Sequence, residues 1–239
     1  MTAAKPKLYL LDVEGTTSPV SLVSEQLFPY ARKHFEVFLR EHGEEAEVKA
    51  DLALLAVENR AETAAEYPKI EDAGHLNEAL AYLLWLMDRD RKSTALKSLQ
   101  GRIWKSGYLA GELVGTVFDD VSGAMERWSR EAKVAIYSSG SVEAQQLIFR
   151  YSSAGDLTRF ISEYFDTRTG AKTSTESYRA IAAAMGVETG EILFVSDLLR
   201  ELDPAREAGC LTRLSVRTGN QAVADGHGHP AARSFEEIR

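Results

Sequence analysis

The sequence holds one cysteine, Cys210, in 239 residues, so no disulfide can form within the chain and stability has to come from a buried core. Long apolar runs are also missing. Leu83-Leu84-Trp85-Leu86-Met87 falls far short of the roughly 20 residues that a membrane-spanning helix requires. No basic-then-apolar segment opens the sequence. These absences lead to the expectation of a protein of the reducing cytoplasm with no membrane partner. An excess of positive charge is lacking too: 28 Lys and Arg face 36 Asp and Glu, a formal net charge of -8. That balance disfavours nucleic acid as a partner, so an anionic ligand must be held by a local site. With 44% hydrophobic and 27% charged residues, and no repeat or low-complexity segment, the composition excludes disordered, collagen-like and coiled-coil classes.

What is present is an α/β pattern interrupted by a helical insertion. The length suits one core plus an inserted or appended subdomain. Lys7-Leu8-Tyr9-Leu10-Leu11 reads as a short buried strand, and the Gly, Pro, Ser and Thr residues from Gly15 to Pro19 force a turn after it. From about residue 21 to residue 117 apolar residues recur at three- and four-residue spacing. Leu27, Ala31, Phe35, Phe38 and Leu39 form one stripe, stopped by Gly43; Val48, Leu52, Leu55 and Asn59 form a second. Leu76, Leu80, Leu83, Leu84 and Met87 form a third, and Leu96, Leu99 and Ile103 a fourth. Such stripes are packing surfaces, and four of them predict a small helical bundle.

Alternation of strand and helix then resumes. Strands are expected at Lys133–Tyr137, near Ile161–Phe165, at Ile192–Val195 and at Thr212–Val216. The helices between them run from about Val142 to Tyr151 and from Ser174 to Met185, and one ends at Gly209. A loop-rich tail follows. This order predicts a parallel sheet covered on both faces, and such sheets bind ligands outside the carboxyl ends of their strands.

The residues directly after each apolar run therefore matter most. Asp12 and Glu14 follow the first, Ser138 and Ser139 the second, Gly170-Ala171-Lys172 the third, and Ser196 and Asp197 the fourth. Each has a bland reading by itself: an Asp after a strand caps the next helix, paired serines populate turns, and a lone lysine is usually solvated. Together they supply a carboxylate nucleophile, an acid or base, a cation, hydroxyl donors and a second carboxylate for a metal, which is the set that phosphoryl transfer needs.

In order and spacing, Asp12-Val13-Glu14-Gly15-Thr16, Ser138, Lys172 and Asp197 resemble the four-motif pattern of the haloacid dehalogenase superfamily. The stretches Asp12 to Thr17, Gln100 to Tyr108, Tyr137 to Gln145, Lys172 to Tyr178 and Arg217 to Asn220 are similar to the enolase-phosphatase E1 family of methionine salvage. Glu14 sharpens the match, because most phosphatases of the superfamily carry Asp there. The resemblance covers nearly the whole chain. It implies a haloacid dehalogenase-like Rossmannoid parallel sheet formed by residues 1–20 and 118–239, with residues 21–117 as a small helical cap inserted after the first strand.

The resemblance further implies a Mg2+-dependent phosphatase, with one Mg2+ per chain, that acts on a small phosphorylated metabolite. Its reaction would enolise 2,3-diketo-5-methylthiopentyl-1-phosphate and then hydrolyse the ester to an acireductone and phosphate. Asp12 would be the nucleophile and Glu14 the acid and base. The Asp12 and Asp197 carboxylates and the Glu14 backbone carbonyl would hold the magnesium, while Ser138, Ser139 and Lys172 orient phosphate oxygens. Three positions depart from the family pattern: Ala171 stands for proline, Ser196 for threonine and Thr218 for proline. None removes a charged group. The chain is expected to act as a monomer. Two alternatives keep the same fold: a capped phosphatase of another small phosphate ester, and a non-catalytic phosphate-binding protein.

Other signals are read as structural. His227-Gly228-His229 lacks the further ligands that zinc requires. Asp119-Asp120 is expected to cap the helix that follows, and Asp88 to Lys92 to form a solvated helix end. Cys210 reads as a small core residue. Glu201, four residues beyond Asp197, is read either as a group near the metal or as a surface residue. Trp104, Lys105 and Tyr108 are set between substrate recognition and bundle packing.

Overall fold

The apolar run after Lys7 becomes strand β1, Leu8–Leu11, with all four residues buried, in a computed structural model that describes residues 5–72 and 74–238. The chain divides into two compact units. One contains the chain up to Val23 and from Val114 onward, and the other is Ser24–Leu113.

The second unit is helical: α1 is Phe28–His42, α2 Ala46–Arg60, α3 Leu76–Asp88 and α4 Thr94–Leu109. Residues from all four apolar stripes meet in one buried cluster that includes Phe35, Leu39, Leu55, Leu83, Leu99 and Ile103; Leu27 and Leu84 of those stripes lie outside it. Gly43 follows the last turn of α1, as expected. Asn59 holds the connection from α2 to α3: its Nδ2 donates to Pro68 O at 2.8 Å and its Oδ1 accepts from Ile70 N at 3.0 Å. Satisfying both ends of a buried amide is what lets it sit on an apolar stripe. Trp104 packs against this cluster, its Nε1 donates to Leu27 O at 2.8 Å, and Tyr108 is buried.

The first unit continues with α5 (Asp119–Ser129), β2 (Lys133–Tyr137), α6 (Val142–Arg150), β3 (Glu163–Phe165) and α7 (Thr175–Met185). It ends with β4 (Ile192–Ser196), α8 (Leu199–Glu207), β5 (Leu211–Ser215) and β6 (Ala231–Ala232). All pairings are parallel, in the order β3-β2-β1-β4-β5-β6. Side chains alternate across the sheet. Leu8 and Leu10 join Ala135, Tyr137, Ile192 and Phe194 in a cluster with Tyr178 and Ile181 of α7 and Leu202 and Ala205 of α8. On the opposite face Tyr9 stacks on Trp128 of α5, with ring centroids 4.3 Å apart.

Two sequence expectations differ from the fold. The tail contributes β6, two residues paired with Leu214 and Ser215 of β5, which are too few to show alternation. Asp119 and Asp120 do not cap α5. Phe118 occupies the capping position without a side-chain bond, and Asp120 instead pairs with Arg217 Nη1 at 2.8 Å.

Candidate active site

Register decides where chemistry can gather. Leu11 of β1 lies level with Ile136 of β2 and Val195 of β4, so the chain leaves three adjacent strands along one edge. The strand order turns outward on either side of β1, and a crevice opens at such a point. A cavity of about 750 Å³ lies there, lined by Asp12, Glu14, Ser138, Ser139, Lys172 and Asp197. All six residues singled out from the sequence thus share one pocket.

The turn after β1 is wound tightly around Val13 O, which accepts from the amides of Thr16, Thr17 and Ser18 at 3.2, 3.0 and 2.8 Å. Thr17 Oγ1 adds a bond to Asp12 O at 3.0 Å. Gly15 sits at φ +70°, and a β-carbon there would stand 2.5 Å from Asp197 Oδ2. No other residue type combines that backbone angle with so close an approach. Beyond β2, Ser138 is buried and its Oγ accepts from Gly140 N at 3.1 Å, while Ser139 is exposed to the pocket. Gln145 Nε2 braces this turn through Gly140 O at 2.8 Å and Phe165 O at 2.9 Å.

Lys172 reaches the crevice from the loop before α7. Tyr178 fixes that loop, its hydroxyl lying 2.7 Å from Lys172 O and 2.9 Å from Glu201 O. The Lys172 ammonium is buried between two acids: it donates to Asp12 Oδ1, and to Glu201 Oε2 at 2.7 Å. Ser196 Oγ donates to the same Glu201 oxygen at 2.9 Å, so the serine at this position still supplies a hydroxyl. Glu201 is the residue that the sequence left between two readings. It is buried and belongs to this cluster. The signal was its place in the first turn of α8, four residues after Asp197.

The charge in the crevice is unbalanced. Burial comes first in raising the Asp12 carboxyl; Lys172 opposes the rise, and the charges of Glu201 and Asp197 add to it. Burial would lower the Lys172 ammonium, but Asp12 and Glu201 outweigh it and hold the group above its ordinary value. A single Asp–Lys pair would depress its acid. Here several acids compete for one ammonium, and Asp12 moves the other way. Asp197 is pushed up to about 6, by burial and then by Glu201. Glu14 is accessible from the pocket, yet the surrounding protein, and after it the charge on Asp12, push its carboxyl up to about 7.

The discounted histidines lie elsewhere. His229 is buried with Nδ1 2.7 Å from Thr212 Oγ1 and Nε2 3.0 Å from Asp203 Oδ1, and His227 Nδ1 accepts from His229 N at 3.0 Å. These bonds tie the tail to β5 and α8. Cys210 is buried, and burial pushes its thiol up to about 12. Other pocket walls carried no sequence signal: Val20, Leu198, Leu199 and the loop residues Gln221 to Ala224; Gly219, also in the wall, was marked only as part of the Arg217 to Asn220 stretch.

Known proteins place this arrangement. The family described as haloacid dehalogenase-like hydrolase matches residues 6–209, which is the class that the parallel sheet and its acidic crevice define. A Synechococcus elongatus protein named enolase-phosphatase E1 is 52% identical over 96% of each chain. One of the same name from Pseudomonas aeruginosa is 45% identical over 97% of each. Among solved structures, the UTR4 protein of Saccharomyces cerevisiae superposes with a TM-score of 0.80 at 35% identity, covering 97% of this chain and 99% of its own. The chain belongs to the enolase-phosphatase E1 family of haloacid dehalogenase-like hydrolases and is a phosphatase-type enzyme.

Proposed function

We propose that the crevice converts 2,3-diketo-5-methylthiopentyl-1-phosphate to an acireductone and phosphate through an aspartyl-phosphate on Asp12. The observation that carries this reading is the meeting of Asp12, Glu14, Ser138, Ser139, Lys172 and Asp197 in one pocket. The substrate is the one that the family resemblance implies, and relatives named enolase-phosphatase E1 that match along nearly their full lengths support it.

In this reading an Asp12 carboxylate oxygen attacks phosphorus. The bond to the ester oxygen breaks, and Glu14 gives that oxygen its proton. Water then attacks the aspartyl-phosphate and passes a proton to Glu14, and phosphate leaves with the Asp12 carboxylate restored. A carboxyl held near 7 can perform both transfers at neutral pH. Lys172 keeps Asp12 aimed. The Ser138 and Ser139 hydroxyls and the Lys172 ammonium supply donors for the phosphate oxygens.

Magnesium fits the donors present. Among the described residues no three His, Cys, Asp or Glu side chains group as a metal site; the ligands that the family resemblance implies are the Asp12 and Asp197 carboxylates and the Glu14 backbone carbonyl, a set with only two side chains. These are hard oxygens, as Mg2+ requires, and the raised carboxyls of Asp12 and Asp197 mark negative charge that Lys172 leaves uncompensated. When bound, the cation neutralises charge on the transferring phosphoryl group. One Mg2+ per chain, the cytoplasm as location, a monomeric state and a capping role for the helical unit belong to the same proposal.

The test is direct assay of purified protein with the diketone phosphate, following enol absorbance and free phosphate together, with and without a chelator. Both signals should appear and both should stop on chelation. Turnover of generic phosphate esters with none of the diketone phosphate would overturn the substrate assignment.

A further inference from the structure

One buried acceptor beside the crevice lacks a donor. Asn220 lies just beyond β5, where its Nδ2 donates to Gly15 O at 2.9 Å and to Ser215 O at 3.2 Å. Both partners are carbonyls, which only accept. The amide can therefore be turned in only one sense, with its nitrogen toward the backbone and its Oδ1 away from it. That Oδ1 is buried and has no partner among the described residues.

Gly15 lets that oxygen and a site carboxylate approach the same turn. A β-carbon built on Gly15 would stand 2.9 Å from Asn220 Oδ1 and 2.5 Å from Asp197 Oδ2. The amide oxygen and the Asp197 carboxylate oxygen thus both press close to the Gly15 α-carbon, beside the turn that carries Asp12 and Glu14. A buried acceptor left bare is costly, and this one lies close to a carboxylate assigned to the metal.

We infer that Asn220 is a positioning residue for the divalent cation: its Oδ1 accepts a hydrogen bond from a water in the coordination shell of the Mg2+ held by Asp12 and Asp197. The inference rests on the magnesium assignment made above. Water is the fitting donor, because Mg2+ dehydrates reluctantly and keeps several waters in protein sites. Outer groups of this kind set ligand orientation and affinity. The Asn220 Nδ2 has a separate role. It holds the Gly15 carbonyl and, through it, the turn that presents the Glu14 carbonyl.

Ser215 separates the two roles, because its Oγ donates to the same Gly15 carbonyl at 3.0 Å. Ser215→Ala loosens the turn and leaves the Asn220 acceptor in place. Asn220→Asp does the converse: it keeps an oxygen beside Asp197 and removes the donor to the turn.

The experiment is calorimetric titration of metal-free protein with Mg2+, alongside thermal unfolding of each variant without metal. Asn220→Ala should weaken Mg2+ binding by about tenfold or more, while Ser215→Ala binds close to wild type although both melt lower. Asn220→Asp should bind at least as tightly as wild type despite its lost staple. This comparison stands even if Asn220→Ala does not fold. Wild-type affinity in Asn220→Ala, or binding by Asn220→Asp weaker than wild type, would overturn the inference. Failure of the wild type to bind Mg2+, or unchanged binding in Asp197→Ala, would overturn the magnesium assignment itself and this inference with it.

Discussion

Two clusters of buried charge occupy the same α/β unit and are built on opposite terms. Around Asp120, one acid meets one base. Arg217 Nη1 lies 2.8 Å away, Ser234 Oγ and Phe235 N donate at 2.8 and 2.6 Å, and the guanidinium lies 4.6 Å from the rings of both Phe118 and Phe235. Burial alone would raise the Asp120 carboxyl, but these donors outweigh it and hold the group below the usual carboxylate range. Around Lys172, four carboxylates crowd one ammonium, and Asp12, Glu14 and Asp197 are all raised. The balanced cluster fastens the C-terminal tail to α5. The unbalanced one carries negative charge that the fold does not neutralise, which is the mark of a site completed by a ligand.

Substitutions can break this contrast. Lys172→Ala should have the largest effect, since it removes the ammonium that Asp12 and Glu201 share among the described residues. Turnover should fall by about 10²- to 10³-fold, as for loss of a preorganised electrostatic group. The leaving of Asp12 and Glu201 unpaired should cost about 3–5 kcal/mol, read by urea unfolding. A mild change in both quantities would remove Lys172 from the site. Arg217→Ala should cost about 3 kcal/mol by the same mechanism, leaving Asp120 uncompensated, yet lower kcat less than Lys172→Ala does. An equal loss of kcat would mean that the two clusters are not functionally distinct.

A smaller effect sharpens the comparison through pH. The Asp120 carboxyl is depressed in the folded protein, so its contribution is present above the unfolded value of about 3.9 and is lost as pH falls through the folded value. Urea unfolding between pH 6 and pH 3 should show wild type losing more stability than Asp120→Asn as pH falls below about 4. Parallel acid profiles would show that the Arg217 pair contributes nothing through Asp120 ionisation.

The same contrast explains what the sequence disclosed. Strand ends were legible because β1, β2 and β4 are short apolar runs closed by polar turns, and a parallel sheet places those turns on one edge. Asp12, Glu14, Ser138, Ser139, Lys172 and Asp197 follow from that rule, and the pocket contains them all. Glu201 was ambiguous because its burial is tertiary: it depends on Lys172, 29 residues away, and on Ser196 at the end of β4. Asp120 was misread for a similar reason. An acid in the first turn of a helix fits the local pattern, whereas its partner Arg217 lies 97 residues downstream. Asn220 was legible only as part of the Arg217 to Asn220 stretch, with no role attached, because an amide in a loop acquires meaning only from the carbonyls that fix its orientation. Strand β6 exists only through its pairing with β5.

The most direct test of the surplus-charge account is Asp12→Asn, which keeps the side chain's shape and removes the nucleophilic oxygen's charge. Phosphate release from the diketone phosphate would be measured with Mg2+ raised to compensate for the weakened ligand, and urea unfolding would be measured without metal. The account predicts no detectable phosphate, slow accumulation of the enol phosphate as an ultraviolet band, and stability equal to or above wild type, because one acid has left an over-charged crevice. Phosphate released at a near-normal rate would contradict covalent transfer through Asp12.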